Sequence, residues 1–202
     1  MKNLVKQSMA GLRVLLVFTV LLGVVYPLGV WLVSRLPGLQ HHAEGSVVLR
    51  DGHAVGSELI GVDPVFPGRP TADPWFHNRP SAGAAGPLGP GDPAASGGSN
   101  RGSFDPELVA AVRERKRAVA AREGVRPDAV PADAVTASAS GVDPAISGAY
   151  AELQVPRVAR NNGLPEDRVR ELVRRHTSGL GVGVPVVTVL PLNLAVQDAA
   201  SG

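Results

Sequence analysis

The sequence predicts an α+β protein: one N-terminal transmembrane helix, then a soluble α+β domain with a β-hairpin, several helices and a C-terminal strand. Three observations predict this class. An uncharged apolar run lies near the N-terminus, an Asp-Gly pair separates two strand-like runs, and strong helix-start signals occur in the second half. Together these three patterns indicate a membrane anchor followed by one mixed α+β domain.

The apolar run covers residues 14–33 and contains no charged side chain. As a helix it would span about 30 Å, which matches the hydrocarbon core of a bilayer. A cleaved signal peptide is the alternative, but its apolar core is roughly 7 to 15 residues long and a small-residue cleavage site follows it. No clean A-x-A site is present here. We expect a retained helix at 14–34, after residues 1–13 and before a juxtamembrane linker at 35–45.

The charges that flank this helix predict its orientation. Lys2, Lys6 and Arg13 precede the run with no acid among them, whereas only Arg35 follows closely. Positive charge favours the cytoplasmic side of a membrane. We therefore expect the N-terminus in the cytoplasm and the large domain outside it.

Composition excludes several function classes. The chain has a net charge of +2, but its four most N-terminal basic residues flank the apolar run and all 18 acids follow residue 43. The remaining domain is slightly acidic, which argues against a nucleic-acid surface. Cysteine is absent, so thiol catalysis, disulfides and cysteine-based zinc sites are excluded.

The soluble domain is expected at residues 46–198, with a short tail at 199–202. Its first part, SVVLR-DG-HAVGSELIG, predicts a hairpin with a tight Asp-Gly turn. Residues 61–104 are rich in proline and glycine, and the part at 83–95 predicts a flexible loop. Two ordered islands are expected within this stretch, WFHNRPSA at 75–82 and SGGSN at 96–100.

Three helices and a strand are expected after this stretch. Asp105-Pro106-Glu107 combines an N-cap, a first-turn proline and a first-turn acid, and Gly124 ends that helix. Its charged run at 113–117 is interpreted as a solvated face. A second helix is expected near Ser147, broken or restarted at Pro156, and a third from Pro165. The C-terminal VPVVTVLPLNLAV predicts a strand, because apolar residues alternate at its end.

Motifs for enzyme chemistry are lacking. The sequence has no G-x-x-x-x-G-K-[ST] phosphate loop, no H-E-x-x-H zinc helix and no G-x-S-x-G nucleophile turn. His41-His42 is interpreted as a linker pair, and His77 as a packing and hydrogen-bonding residue. We therefore predict no catalytic residue, no metal site and no tightly bound cofactor.

Two polar segments allow two interpretations each. SGGSN could expose backbone N–H groups to an anion, or it could be a tight turn that docks on a neighbouring surface. VTASASGVDPAIS at 135–147 could cap the following helix or form a polar cradle for a ligand. The sequence alone leaves both pairs open.

Five segments, in their order along the chain, identify a known family. WFHNRPSA, SGGSN, VPADAVTASASGVDPAIS, QVPRVARNNGL and VLPLNLAV follow a single N-terminal helix. This arrangement closely resembles the C subunit of the bacterial Kdp potassium-transporting ATPase, over nearly the whole chain. The family usually has Gly where this chain has Asn78.

The resemblance implies a non-catalytic subunit that assembles and stabilises an ATP-driven potassium uptake pump. It implies two partners, a potassium-selecting channel-like subunit and a P-type ATPase subunit that hydrolyses ATP. It also implies a single-pass protein of the plasma (inner) membrane that contacts the lipid bilayer and no nucleic acid. ATP and potassium are then used by the complex rather than held by this chain.

An alternative that the family also implies is a catalytic chaperone that binds ATP or raises the ATP affinity of the ATPase subunit. The residues that this reading would assign to ATP are Ser138, Ser140, Gly141, Asp143 and Gln154. A domain outside the cytoplasm would not meet cytosolic ATP directly, so the predicted topology disfavours it.

Candidate contacts with partner subunits come from the two ordered islands. Aromatic rings and a forked cation are favoured at buried interfaces. The candidates are Trp75, Phe76, His77, Arg79, Ser96, Gly97, Gly98, Ser99 and Asn100. Packing of the Trp75 ring in the core of the domain itself is the alternative.

Overall fold

The computed structural model describes residues 2–179 and 184–202. The chain divides into two compact units, one up to Ser46 and one over Val47–Gly202. The fold is mixed α and β, as predicted.

The N-terminal unit is dominated by one long helix. It comprises α1 (Lys2–Val20), a π-helical turn (Leu21–Val25) and α2 (Tyr26–Ser34), and a short helix α3 (Gln40–Ala43) follows. Residues Asn3–Ser34 are long and apolar enough to cross a membrane. Pro27 explains the π turn, because its ring would collide with a carbonyl one turn earlier. The widened turn lets the Tyr26 N–H donate to the Leu21 carbonyl, five residues back.

The second unit begins with the predicted hairpin. Strands β1 (Val47–Arg50) and β2 (His53–Ser57) pair antiparallel, with a register shift between Val48 and Leu49. Asp51 and Gly52 both have positive φ angles, 52° and 78°, as a type I′ turn requires.

Three helices start where the capping signals predict. In α4 (Pro106–Glu123) the Asp105 carboxylate accepts hydrogen bonds from two first-turn N–H groups, and Gly124 ends the helix in the left-handed conformation. The Ser147 hydroxyl accepts from the Tyr150 N–H at the start of α5 (Gly148–Asn162). Helix α6 spans Glu166–Arg175.

Two local predictions for these helices were wrong. Helix α5 is not broken at Pro156 but continues through it. Pro156 is exposed, so the carbonyl that loses its intrahelical partner lies on the solvent side, while the opposite face is buried. The charged run 113–117 is not wholly solvated either, because Arg115 is 8% exposed.

The predicted C-terminal strand is much shorter than expected. Strands β3 (Ala145–Ser147), β4 (Thr177–Ser178) and β5 (Val186–Thr188) form an antiparallel sheet in the order β3-β5-β4. From Val189 onward the chain is helical, as α7 (Val189–Ser201). Val189, Leu192 and Val196 are its buried apolar positions, so helical spacing prevailed over the alternation that suggested a strand.

The core of this unit surrounds α5. Tyr150, Val155 and Val158 of α5 are fully buried, with Phe76 and Leu192 from other segments. Helix α5 packs against α4, α6, α7 and the sheet. The irregular stretch 61–104 contributes Phe76 to the same core as α5. The buried face of α5 also carries polar side chains. The flexibility of 83–95 stays a prediction.

Candidate functional site

The island around Trp75 is held by side-chain amides rather than by a β-ladder. We call residues 71–78 the clamped segment. The Gln154 amide accepts from the His77 N–H at 2.8 Å and donates to the His77 carbonyl at 3.2 Å. Asn193 makes the same pair of bonds with Phe76, at 2.7 and 2.9 Å. Helices α5 and α7 thus satisfy buried backbone groups that would otherwise destabilise the fold.

Arg157 of α5 extends this arrangement along the segment. Its guanidinium donates to the Trp75 carbonyl at 2.9 Å and to the Asp73 carbonyl, and it pairs with the Glu123 carboxylate at 2.9 Å. Arg157 is 1% exposed. One buried cation therefore links α4, α5 and the clamped segment.

The imidazole of His77 lies between two buried carboxylates. Its Nδ1 is 3.1 Å from Asp63 Oδ2, and its Nε2 is 3.0 Å from Asp73 Oδ2. Both contacts are hydrogen bonds only when the ring carries two protons. Burial raises the pKa of Asp73, but the bonds from His77 and from the Trp75 N–H, with the charge of Arg157, leave this pKa below its ordinary value.

A second buried pair completes the network on α4. Arg122 donates to Glu123 at 2.7 Å and to the Tyr150 hydroxyl at 2.8 Å. Burial alone would lower the pKa of Arg122, but Tyr150 and Glu123 hold it above its ordinary value. Burial also raises the pKa of the Tyr150 hydroxyl. The network is a set of paired charges, as burial requires.

The two polar segments of the sequence pack on each other. We call residues 96–100 the glycine loop and 135–144 the serine loop. The Gly97 N–H and the Ser96 hydroxyl donate to the Ser140 carbonyl, at 2.8 and 3.0 Å. A Cβ at Gly98 would lie 2.9 Å from the Ala139 carbonyl oxygen, so glycine is required for this approach. The glycine loop is thus a turn docked on a neighbouring surface.

The hydroxyls of the serine loop are used within the loop itself. Ser138 accepts from the Gly141 N–H at 3.1 Å, and Ser140 accepts from the Val142 N–H at 3.2 Å. Asp143 caps the Ala145 N–H at 3.1 Å. The N–H groups of Ser138, Gly141 and Val142 are therefore engaged in the fold and not available to a phosphate.

The five residues that the resemblance assigned to ATP lie in two places. Ser138, Ser140, Gly141 and Asp143 belong to the serine loop, and Ser138 and Gly141 are buried. Gln154 is 0% exposed, and both polar atoms of its amide bond the clamped segment. As folded, Gln154 has a structural role and no surface for a ligand.

The candidate interface residues also separate into two groups. Phe76 and His77 are buried within the domain, so they offer no surface to a partner. Trp75 is half-buried beside a groove of about 190 Å³, whose wall includes Val62, Leu190 and Leu194. The glycine loop is largely exposed on its outer side.

Arg79 connects the clamped segment to the serine loop. It pairs with Asp143 at 3.1 Å, and its Nε is buried without a partner among the described residues. The neighbouring Asn78 donates to the Asp143 carbonyl at 3.0 Å. The Asn78 side chain therefore adds a second bond to the serine loop.

Sequence reasoning missed the charged network. Its unrecognised members are Asp63, Asp73, Arg122, Glu123, Arg157 and Asn193. A signal for part of it was present, since Gln154 and Arg157 share a helical face with Tyr150 and Val158. Polar residues on an apolar face indicate buried hydrogen bonding. Within the described ranges no group of three or more His, Cys, Asp or Glu residues could hold a metal ion.

Comparison with known proteins gives one consistent family. Residues 8–198 match the family model described as KdpC: K+-transporting ATPase, c chain. The potassium-transporting ATPase KdpC subunit of Kineococcus radiotolerans is 49% identical over 201 residues, which cover 98% of this chain and 96% of that protein. The same subunit of Streptomyces coelicolor is 46% identical, over 97% and 94%. That of Polaromonas naphthalenivorans is 45% identical, over 98% and 95%.

The lowered pKa of Asp73 predicts acid-sensitive stability. The carboxylate stabilises the fold above its unfolded pKa of about 3.9, and this contribution is lost as pH falls through the lower folded pKa. Asp73→Asn should lower the free energy of unfolding at pH 7 by about 1–3 kcal/mol. Between about pH 5 and pH 2, the free energy of unfolding of this variant should fall less steeply than that of the unchanged protein. Denaturant unfolding of the full chain in detergent at several pH values measures both effects.

Asp128→Asn is the matched control, because Asp128 is exposed and its one ion pair within the described ranges is with Arg126 in the same turn. At each of these pH values it should change the free energy of unfolding by no more than a few tenths of a kcal/mol. Equal pH profiles for the Asp73 and Asp128 variants would contradict the structural role given to the His77 pair.

Proposed function

Because the chain belongs to the KdpC family, the c chain of the K+-transporting ATPase, we propose that it is a non-catalytic subunit that assembles and stabilises this pump. It thereby supports high-affinity potassium import, while another subunit hydrolyses ATP. The proposal gives the chain two partners, the potassium-selecting channel-like subunit and the P-type ATPase subunit. The observation that carries it is the use of the motif residues inside the fold.

That observation separates assembly from nucleotide binding. A phosphate cradle needs N–H groups and hydroxyls that point to open space. In the serine loop, the Gly141 and Val142 N–H groups bond the loop's own hydroxyls, and Gln154 is sealed in the core. The motifs then serve to build a stable domain surface, which favours an assembly role over a direct ATP site.

The surface that we assign to a partner includes the groove beside Trp75. Along residues 59–65 the chain exposes Leu59, Ile60, Val62 and Val65 by 42% to 73%. Val62 also lines the groove. Exposed apolar side chains next to a half-buried aromatic ring are characteristic of protein interfaces. We assign this face to the potassium-selecting subunit.

The membrane orientation follows from charge. The basic residues Lys6 and Arg13 precede the uncharged run 14–33, so the N-terminus lies in the cytoplasm and the second unit lies outside. The long apolar helix then acts as a single-pass anchor in the same membrane as the pump. In this orientation the second unit can contact the outer surface of a channel-like partner, but not cytosolic ATP.

Val62→Asp tests the assigned surface. A carboxylate buried in an apolar interface is costly, so recovery of the potassium-selecting subunit with the tagged full chain should fall about tenfold or more. Val184→Asp is the matched control, since Val184 is exposed by 77% outside the groove. Both variants should melt at the temperature of the unchanged protein. Equal recovery with the two variants would contradict the assigned surface, and a stable, fully active pump without this chain would contradict the proposed function.

A reporter fused after Gly202 tests the orientation. An enzyme that matures only outside the cytoplasm should be active in this fusion, because the second unit follows a single span. A reporter that works only in the cytoplasm should be inactive at the same position. The opposite pair of results would overturn the orientation. It would then favour the alternative function, a catalytic chaperone that binds ATP or raises the ATP affinity of the ATPase subunit.

A further inference from the structure

Arg115 of α4 differs from the other buried arginines. Among the described residues Arg122 and Arg157 each pair with the Glu123 carboxylate, whereas Arg115 forms no ion pair. Its Nε donates to the Pro87 carbonyl at 3.2 Å and its Nη1 to the Val135 carbonyl at 3.4 Å. Burying a cation without an anion is costly. Glu114, its neighbour in α4, attracts this charge but forms no hydrogen bond with it, so the fold leaves the buried guanidinium without a hydrogen-bonded carboxylate among the described residues.

This charge lies at a cleft, not in the closed interior. Arg115 lines an open cleft of about 420 Å³ between α4 and the glycine loop. Its Nη2 has no hydrogen bond among the described residues, yet it is not sealed from solvent. Ala82 and Ala111 also line the cleft, and their small side chains leave the guanidinium within reach. An anion entering here would meet a fixed, partly desolvated donor.

The other charged groups of the cleft indicate which anion fits. Arg101 on the cleft wall is already paired with Glu107 and with the Asp105 carboxylate. Arg115 is therefore the cleft-lining cation without a hydrogen-bonded carboxylate among the described residues. Glu107 would repel a phosphate dianion more strongly than a single carboxylate.

We propose that this cleft, the Arg115 cleft, receives an acidic side chain of a partner subunit, which pairs with the Arg115 guanidinium when the pump assembles. The inference rests on the proposed assembly function and adds a second contact to the groove beside Trp75. An arginine preset by two carbonyls binds a carboxylate with little loss of conformational freedom. The pair forms only in the complex, so the Arg115 guanidinium gains a hydrogen-bonded carboxylate on assembly.

The variant Ala111→Glu tests the inference without removing Arg115. Position 111 lines the cleft one helical turn before Arg115, so the new carboxylate can pair with the guanidinium inside α4. The melting temperature of the full chain should stay the same or rise. Recovery of the partner subunits with the tagged chain should fall about tenfold or more, since the cleft is already occupied. Ala111→Gln, of equal size but uncharged, should retain most of the recovery.

The outcomes distinguish this inference from its alternatives. Undiminished recovery with Ala111→Glu overturns it, and so does an equal loss with Ala111→Gln, which would indicate crowding rather than charge. A wild-type chain that recovers no partner overturns the proposed function and this inference together. Sodium acetate, compared with sodium chloride at equal ionic strength, tests a free anion on the purified full chain. Acetate would then raise the melting temperature of the wild type but not that of Ala111→Glu. If Ala111→Glu also assembled normally, the proposal that a partner carboxylate occupies the cleft would be overturned.

Discussion

The structure depends on how an irregular, buried segment satisfies its backbone. After the 3₁₀ turn that ends at Ala72, the clamped segment enters the core without a helix or a strand, so its N–H and C=O groups need other partners. Arg157, Gln154 and Asn193 supply them from the neighbouring helices. Since a buried backbone group without a partner costs about 1–3 kcal/mol, these few side chains determine whether this part of the domain holds together.

The same interactions explain the character of the sequence motifs. The motif QVPRVAR provides the Gln154 amide and the Arg157 guanidinium that bind the clamped segment. The motif WFHNRP contains residues 75–78 of that segment. Beyond its far end, Arg79 pairs with Asp143 of the serine loop, and the glycine loop packs on the serine loop. Residues that resemble ligand-binding loops when taken alone thus form one continuous scaffold. The exposed surface includes an apolar groove, a cleft lined by an arginine without a hydrogen-bonded carboxylate among the described residues, and the outer side of the glycine loop.

The sequence predicted the local elements well and the long-range ones poorly. The Asp105 cap and the Asp51-Gly52 turn were predictable, because each needs only neighbouring residues. The end of the chain was not, because Leu192, Leu194 and Val196 fit an alternating pattern while tertiary packing selected the helical set. Pro156 was misjudged because the helix rests on packing of its opposite face. Arg115 was misjudged because its carbonyl partners lie 20 and 28 residues away along the chain.

The most direct test of the account is the hydrogen exchange of the backbone amides in the clamped segment. The N–H groups of Phe76, His77 and Asn78 donate to the side chains of Asn193, Gln154 and Asp63, respectively. The exchange of these amides is measured on the full chain in detergent. We expect them to exchange nearly as slowly as the buried turns of α5, and to be unaffected by added ATP. Exchange as fast as at the exposed residues Ser103 and Phe104, or protection that appears only with ATP, would contradict the account.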